Sequence, residues 1–268
     1  RMTDALAGVE HVKLVLMVDS NATGSFVIEG IGDQLASIVS HVSVDVFCVE
    51  GSTLKVVWSH SASEAVSRFT TVKGRVFDEA TFKLTYLNRH LPILRHEIAV
   101  DMEGESANVE LRGLSLLTGD QQMDQSACIH HHKENGVSYQ LFKHILIDQA
   151  KSGFTGLVYV EPEAQKTDAY QTNNNLLLSD KARSISRPQF EIFADDVKCS
   201  HGSITGQIDE EVLFYLMSRG LSKPKALSVL LEGFVDEVLE LIDIPDIAAL
   251  YRKDMLKVLE RIGEEIEA

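Results

Sequence analysis

The segment SVDVFCVEGSTLKVVWSH, residues 43–60, contains the strand-and-turn pattern from which the fold is predicted. Two short runs rich in Val are separated by Glu50-Gly51-Ser52, where glycine and serine favour a turn. Runs of four to eight residues with β-branched side chains, ended by a turn signal, predict β-strands. Similar runs recur over the first two hundred positions. They are HVKLVLMV (11–18), SFVIEG (25–30), HEIAVDMEG (96–104), NVELRGLSLLTG (108–119), SACIHHHK (126–133) and GLVYVEP (156–162).

Many short strands at near-regular spacing are compatible with a sandwich, a barrel or a β-solenoid. Between the runs no stretch is typical of a long amphipathic helix, which disfavours an α/β sandwich. The recurrence of strand, small-residue corner and next strand suits a solenoid, and Asn173-Asn174-Asn175 would agree with it by forming corners. The sequence repeat is weak, so the residues alone leave the three architectures open.

The character of the chain changes after Ile208. Asp209 followed by Glu210 and Glu211 predicts the N-cap and first turn of a helix, and Gly220 is expected at its left-handed C′ position. A second helix begins near Pro224, which is tolerated in a first turn. Its apolar residues recur at three- and four-residue steps, and it ends before Pro245. A third helix with an apolar face is predicted from about 246 to 265.

Composition argues against several classes of partner and location. The net charge is −15 over 268 residues, whereas nucleic acids and anionic membranes favour a basic surface. No run of 18 apolar residues predicts a membrane span, and the start RMTDALAGVEHVKL does not resemble a signal peptide. Cys48, Cys128 and Cys199 are far apart and form no C-x-x-C pair, so we expect free thiols in a reducing compartment.

Two groups of residues are candidates for metal chemistry. On a strand, His130 and His132 share one face and His131 the other; without a nearby carboxylate cluster the pair is an incomplete site, so a surface or stack-lining role is favoured. Cys199 and His201 also share a strand face. Thiolate and imidazole suit zinc or iron if another chain supplies further ligands, and a packed cysteine beside a hydrogen-bonded histidine is the open alternative.

The sequence predicts that the chain is not an enzyme. It contains no G-x-S-x-G, no H-E-x-x-H and no P-loop. The alternative from a different class is a β-helix carbohydrate-active enzyme, which places paired carboxylates in a groove. Such enzymes are usually exported, and the free cysteines argue against them.

Residues 152–220 carry a resemblance to a known family. Five blocks occur there in order, and fainter matches at 111–124 and 139–146 extend toward residue 10. The blocks are AQKTDA (164–169), NNLLLS (174–179), PQFEI (188–192), DDVKCSHG (195–202) and LFYLMSRG (213–220). On these blocks the chain resembles the SufB/SufD family of the Suf iron–sulfur cluster assembly machinery.

Within that family, the segment KCSHG (198–202) resembles the SufD branch. The SufB branch carries an assembly cysteine in the coil before the end, whereas this sequence has SDKA at 179–182. A SufB-like scaffold that holds the cluster itself is therefore the disfavoured alternative. Family members usually have an N-terminal helical region that this sequence does not show, so a shortened subunit or a core fragment is expected.

The resemblance implies a mainly β fold: a right-handed parallel β-helix, here 9–208, with a small C-terminal α-helical domain, 209–268. It implies a non-catalytic scaffold that forms a heterodimer with a SufB-type subunit through the β-helix end and binds a SufC-type ATPase through the helices. It implies a cytoplasmic location, or the plastid stroma in a plastid-bearing organism. Self-association of the isolated chain as a homodimer is left open.

The resemblance also implies site residues. His201, with Cys199 beside it, is expected at the interface with the SufB-type subunit, facing the assembly cysteine of that partner. The family block next to the SufC contact supplies Phe214, Tyr215, Leu216, Arg219 and Gly220. No cofactor is expected to bind stably to this chain alone. A transient iron ion or iron–sulfur cluster is expected at the SufB interface, and a reduced flavin on the complex, for which no motif gives a site.

Overall fold

The structure, a computed structural model, describes residues 8–31, 38–61, 66–89 and 91–265. These residues form fourteen β-strands and then three α-helices. The chain separates into two compact units, Arg1–Thr205 and Gly206–Ala268. The first unit contains the strands, except for Gly206, the last residue of the last strand. The second unit contains the helices.

The strands form two seven-stranded sheets, one from the odd-numbered and one from the even-numbered strands. The first sheet contains β1 (Gly8–Val18), β3 (Ile38–Cys48), β5 (Val66–Val76), β7 (Ile93–Met102), β9 (Gln122–His131), β11 (Lys151–Val160) and β13 (Arg183–Ile192). The second contains β2 (Thr23–Ile31), β4 (Thr53–Ser61), β6 (Thr81–Arg89), β8 (Asn108–Leu117), β10 (Val137–Leu146), β12 (Asp168–Leu177) and β14 (Lys198–Gly206).

Each strand pairs with the strand one coil before or after it. Leu94 pairs in parallel with Arg68, 26 residues earlier, and Arg183 pairs with Lys151, 32 residues earlier. Because consecutive strands alternate between the two sheets, the chain winds as a β-solenoid of about six turns. The predicted parallel β-helix with C-terminal helices is confirmed, and the sandwich and barrel alternatives do not fit this strand order.

Alternation of side chains explains how the strands make a core. Along β3, every second residue from Ser40 to Cys48 is buried, and its neighbours are partly exposed. The period of two directs one set of side chains into the space between the sheets. The sequence pattern does not predict β5, because the inward residues of this strand include Arg68 and Thr70 and it therefore lacks an apolar run.

One corner of the solenoid has the same left-handed backbone conformation in six successive coils. Six residues spaced 27 to 31 positions apart have positive φ: Asn21, Gly51, Glu79, Ser106, Asn135 and Lys166. Each donates its backbone N–H to a carbonyl one coil later; Gly51 N donates to Asp78 O at 2.9 Å and Ser106 N to Glu134 O at 3.1 Å. These bonds satisfy corner N–H groups that no strand partner reaches.

The prediction that Asn173-Asn174-Asn175 forms corners is wrong. All three residues lie inside β12, and Asn173 and Asn175 are buried. Asn173 Nδ2 donates to the carbonyl of Phe142 at 3.2 Å, and Asn175 Nδ2 donates to Thr205 Oγ1 at 3.2 Å. Asparagine is used here as a bonding group between coils, and the corner asparagines are Asn21 and Asn135.

Asn173 and Asn175 belong to a series of buried polar side chains inside the solenoid. Arg68 Nη1 donates to His60 Nδ1 at 3.1 Å, and His96 Nε2 donates to Asn88 Oδ1 at 3.2 Å. Thr70 Oγ1 is hydrogen-bonded to the other ring nitrogen of His96. Hydrogen bonds offset the cost of burying polar groups. The Thr70–His96 bond joins β5 to β7, one coil apart, whereas the other two bonds join strands that are consecutive along the chain.

The helical unit contains α1 (Glu210–Ser218), α2 (Lys223–Leu239) and α3 (Pro245–Glu265). Asp209 caps α1 as predicted, because its carboxylate accepts from the N–H groups of Glu211 at 2.8 Å and Val212 at 3.3 Å. Gly220 follows with φ +95, the expected left-handed conformation. α2 packs along α3. The buried apolar residues of these two helices are Ala226, Leu227, Leu231, Val235, Val238, Leu239, Met255, Leu259 and Ile262.

The repeated corner predicts that Gly51→Ala destabilises the β-solenoid. Alanine at φ +66 costs about 1–2 kcal/mol, and its Cβ would lie 2.4 Å from Asn21 Oδ1. Urea unfolding followed by the fluorescence of Trp58, the single tryptophan and a buried one, measures the loss. Gly202→Ala is the control, since its Cβ meets nothing within 4 Å and its φ is ordinary. Equal stability of the two variants would contradict the role given to the corner.

The buried histidines predict loss of stability in mild acid. Burial lowers the pKa of His96 to about 3, the pKa values of His131 and His144 to about 4, and the pKa of His60 well below 6.5. Below pH 6.5 the unfolded chain binds protons that the folded chain does not, so the free energy of unfolding falls until pH reaches these lowered values. Each histidine contributes up to about 1.4 kcal/mol per pH unit.

Urea unfolding at pH 7.5, 6.5 and 5.5 tests this, again by Trp58 fluorescence. His144→Gln should flatten the pH dependence, whereas His11→Asn, at an exposed position, should leave it unchanged. A stability that is the same at pH 7.5 and 5.5 would show that the interior histidines are already solvated.

Candidate functional site

The last coil of the solenoid differs from the coils before it. In the strand order, β13 and β14 are the terminal strands of their sheets. Val158 and Val160 on β11 are buried, but Phe190 and Ile192, which pair with them on β13, are only partly buried. Pro188 lies in β13, and proline is tolerated in a sheet mainly at an edge strand because it has no N–H to donate. This coil is therefore an edge.

The two residues predicted for cluster chemistry lie on β14 of this coil. Cys199 is half-buried and packs with Phe190 and Ile192 against the buried Val160 and Ala169. His201 is exposed, and its ring lies 4.8 Å from the ring of Phe190, centroid to centroid. The cysteine is therefore mainly a packing residue, whereas the imidazole is accessible.

The environment of Cys199 keeps its thiol protonated. Burial raises the pKa of this thiol, the Asp168 carboxylate raises it further, and only a backbone hydrogen bond from Ala169 opposes the shift. A thiolate is the form that binds metal or attacks an electrophile, so this site does not activate the cysteine. Within the described part of the chain, Cys199 and His201 belong to no group of three metal-ligating side chains. Their part in a metal site shared with another chain stays a prediction.

Helix α1 presents the residues predicted for the ATPase contact. No residue of the helix is buried. The side chains of Phe214 and Tyr215 are 71% and 56% exposed, and Leu216 is partly exposed. The Arg219 guanidinium lies 5.1 Å from the Tyr215 ring centroid, which orients both groups. Large exposed apolar side chains on one short helix are typical of a surface that binds a partner.

A second cluster of chemical interest lies on the outer face of the first sheet. His130 and His132 point to this face as predicted, whereas His131 is buried and bonds Ser138. The expectation that no carboxylates are nearby is wrong. Asp101 Oδ1 lies 3.1 Å from His132 Nε2 and 3.6 Å from His130 Nδ1, and Glu161 Oε1 lies 3.0 Å from His130 Nε2. Local sequence does not reveal these carboxylates, because they belong to neighbouring coils.

Comparison with known proteins places the chain in a family. The family described as "SUF system FeS cluster assembly, SufBD core domain" matches residues 2–234. This chain belongs to the SufBD family. The match includes the whole solenoid together with α1 and most of α2.

Individual relatives agree with the SufD-type resemblance. The chain is 37% identical over 176 residues to the iron–sulfur cluster assembly protein SufD of Escherichia coli, which covers 65% of this chain and 40% of that protein. It is 34% identical over 175 residues to a SufBD family protein of Synechocystis, with 65% and 39% covered. It is 28% identical over 234 residues to the chloroplastic protein ABCI7 of Arabidopsis thaliana, with 87% and 49% covered. The chain thus spans about 40 to 50% of the length of these three relatives.

Two further observations bear on the expectations from sequence. Cys48, Cys128 and Cys199 are free, as predicted. Among the described helices, none combines the length and the apolar character needed to cross a membrane.

Proposed function

We propose that this chain is a non-catalytic, SufD-type scaffold subunit of a SufBCD-type complex for iron–sulfur cluster assembly. It pairs with a SufB-type subunit through the last coil of the solenoid and binds a SufC-type ATPase through the helical unit. The observation that carries the proposal is the terminal coil, which exposes His201 on the outermost strand of its sheet. The family match supports the assembly role.

The edge character of the last coil supports pairing with another chain. A terminal strand has backbone N–H and C=O groups on one side that no strand of its own sheet uses, and a second chain can extend the sheet there. Apolar side chains on the same coil favour association over solvation. Ile185, Phe193 and Ile204 are 59%, 56% and 66% exposed. A SufB-type subunit with a related solenoid would present a matching edge.

His201 is the residue of this coil best suited to act on a nascent cluster. Its imidazole is accessible, whereas the Cys199 thiol is half-buried and held protonated. A neutral imidazole nitrogen binds iron directly or accepts a proton from a partner thiol as that thiol takes up iron. The ligand set is incomplete in this chain, so the partner supplies the remaining ligands, and the cluster is cargo of the complex. The reduced flavin that the resemblance allows on the complex stays a prediction.

The SufB-like alternative has less support. Residues 179–182, where that branch carries its assembly cysteine, are Ser, Asp, Lys and Ala. None of the three cysteines has the environment of a reactive thiol, because burial raises the pKa of Cys48 to about 12 and also raises the pKa values of Cys128 and Cys199. The carbohydrate-active alternative has no support from the family match.

His201→Ala should leave folding and complex formation intact but impair cluster assembly on the complex. An exposed side chain contributes little to stability, so the urea midpoint should stay unchanged. Cluster formation on the complex with its SufB-type and SufC-type partners is followed by visible absorbance and iron content. Ser203→Ala, an exposed residue two positions along the same strand, is the matched control. Cys199→Ser should have the weaker effect.

Three outcomes separate the possibilities for His201. Cluster assembly at the wild-type rate on the His201→Ala complex would show that His201 takes no part in cluster assembly. Failure of that variant to fold would make it a core residue. Loss of binding to the SufB-type subunit would show that His201 contributes only to the interface between the subunits.

Substitutions on α1 should weaken binding of the SufC-type ATPase. We expect Phe214→Ser combined with Tyr215→Ser to raise the dissociation constant at least tenfold. Aromatic side chains that become buried when a complex forms commonly contribute most of the binding energy. Isothermal titration with the purified ATPase measures the change, and Val229→Ser on α2, an exposed apolar position, is the control. The chain alone should hydrolyse no ATP. Unchanged affinity of the double variant would move the contact away from α1.

A further inference from the structure

The outer face of the first sheet carries a cluster of four side chains from three successive coils. Asp101 is the residue before the last in β7, His130 lies near the end of β9, His132 directly follows β9, and Glu161 directly follows β11. In the sheet register, Asp101 is directly beside His130. The rings of His130 and His132 lie 3.7 Å apart, centroid to centroid, so the two imidazoles share one small area of surface.

Three of these side chains converge as ligands do around a metal ion. One ligand atom from each of Asp101, His130 and His132 lies within 4.8 Å of the other two. The oxygen–nitrogen separations from Asp101 Oδ1 are 3.1 Å to His132 Nε2 and 3.6 Å to His130 Nδ1. Ligands at about 2.0–2.1 Å from a tetrahedral ion are about 3.3 Å from one another, between these two values.

Glu161 is the hydrogen-bond partner of His130 and is not one of the three ligands. His130 directs Nδ1 toward Asp101 and Nε2 toward Glu161 Oε1, which lies 3.0 Å away. A histidine that binds metal through one nitrogen usually donates its other N–H to a carboxylate, which fixes the tautomer and the ring orientation. Glu161 makes that bond here, so His130 is held with Nδ1 available.

We propose that Asp101, His130 and His132 form a binding site for one divalent first-row transition-metal ion, with Glu161 as the positioning residue of His130. Two imidazoles and a carboxylate are the ligand types that zinc and iron(II) accept, whereas magnesium and calcium prefer oxygen alone. The three side chains are 47%, 26% and 32% exposed, so the ion exchanges with solvent and a fourth position stays open to water or a further ligand. The site is separate from the last coil and does not rest on the proposed assembly role.

Cobalt(II) is the probe, because its visible absorption reports the ligands directly. Tag-free protein, freed of metal with a chelator, is titrated with Co²⁺ by absorbance and with Zn²⁺ by calorimetry, in the presence of millimolar Mg²⁺. We expect one Co²⁺ per chain, displaced by Zn²⁺ and unaffected by Mg²⁺. His132→Ala and Asp101→Asn should abolish the absorption, and Glu161→Gln should weaken binding about 10- to 100-fold.

Two control variants separate this site from other histidines. His41→Ala changes a partly exposed histidine of the same sheet, beside His11 at 5.6 Å between ring centroids, and should leave binding unchanged. His201→Ala should also leave it unchanged, which distinguishes the site from the last coil. Absence of a saturable Co²⁺ spectrum in folded wild-type protein, or equal binding by wild type and His132→Ala, would overturn the proposal. Either result would leave the cluster as a network of hydrogen bonds between neighbouring coils.

Discussion

The structure depends on the parallel pairing of each strand with the strand one coil away. This pairing satisfies the backbone hydrogen bonds of both sheets, and the left-handed corner continues it between Asn21 and Lys166. It also fixes which side chains are neighbours, because a residue lies beside the residue about one coil earlier and later. Rows of side chains that run across the strands are the consequence, inside the solenoid and on its outer faces. Both the buried polar series and the outer metal-ligand cluster are such rows.

The same constraint determines where the solenoid can bind a partner. Interior coils have a neighbour on both sides, whereas β1 and β2 end the two sheets at one side and β13 and β14 end them at the other. Edge strands need protection or a partner, and the edge at β13 and β14 carries exposed apolar side chains together with an accessible imidazole. The exposed apolar side chains and the accessible imidazole on this edge support the proposed scaffold role. Helix α1, with no buried residue, offers a second surface of the same kind.

The sequence predicted those features that local patterns encode. Apolar runs located most strands of the first half, and the cap at Asp209 and the glycine at Gly220 located the ends of α1. Strands with polar inward residues were missed because a buried Arg68 or Asn173 gives no apolar alternation. The carboxylates beside the paired histidines were missed for a different reason. Asp101 precedes His130 by 29 residues and Glu161 follows His132 by 29, so only knowledge of the coil length would have joined them. The expectation that His201 faces a partner subunit came from the family resemblance and stays a prediction.

The central claim is that the chain acts as a scaffold subunit between two different partners. Native mass spectrometry after co-expression with a SufB-type subunit and a SufC-type ATPase from the same organism tests it most directly. We expect a complex whose mass contains this chain, the SufB-type subunit and the ATPase together. Masses that correspond only to the free chain or its homodimer, beside a SufB–SufC complex that lacks it, would contradict the account.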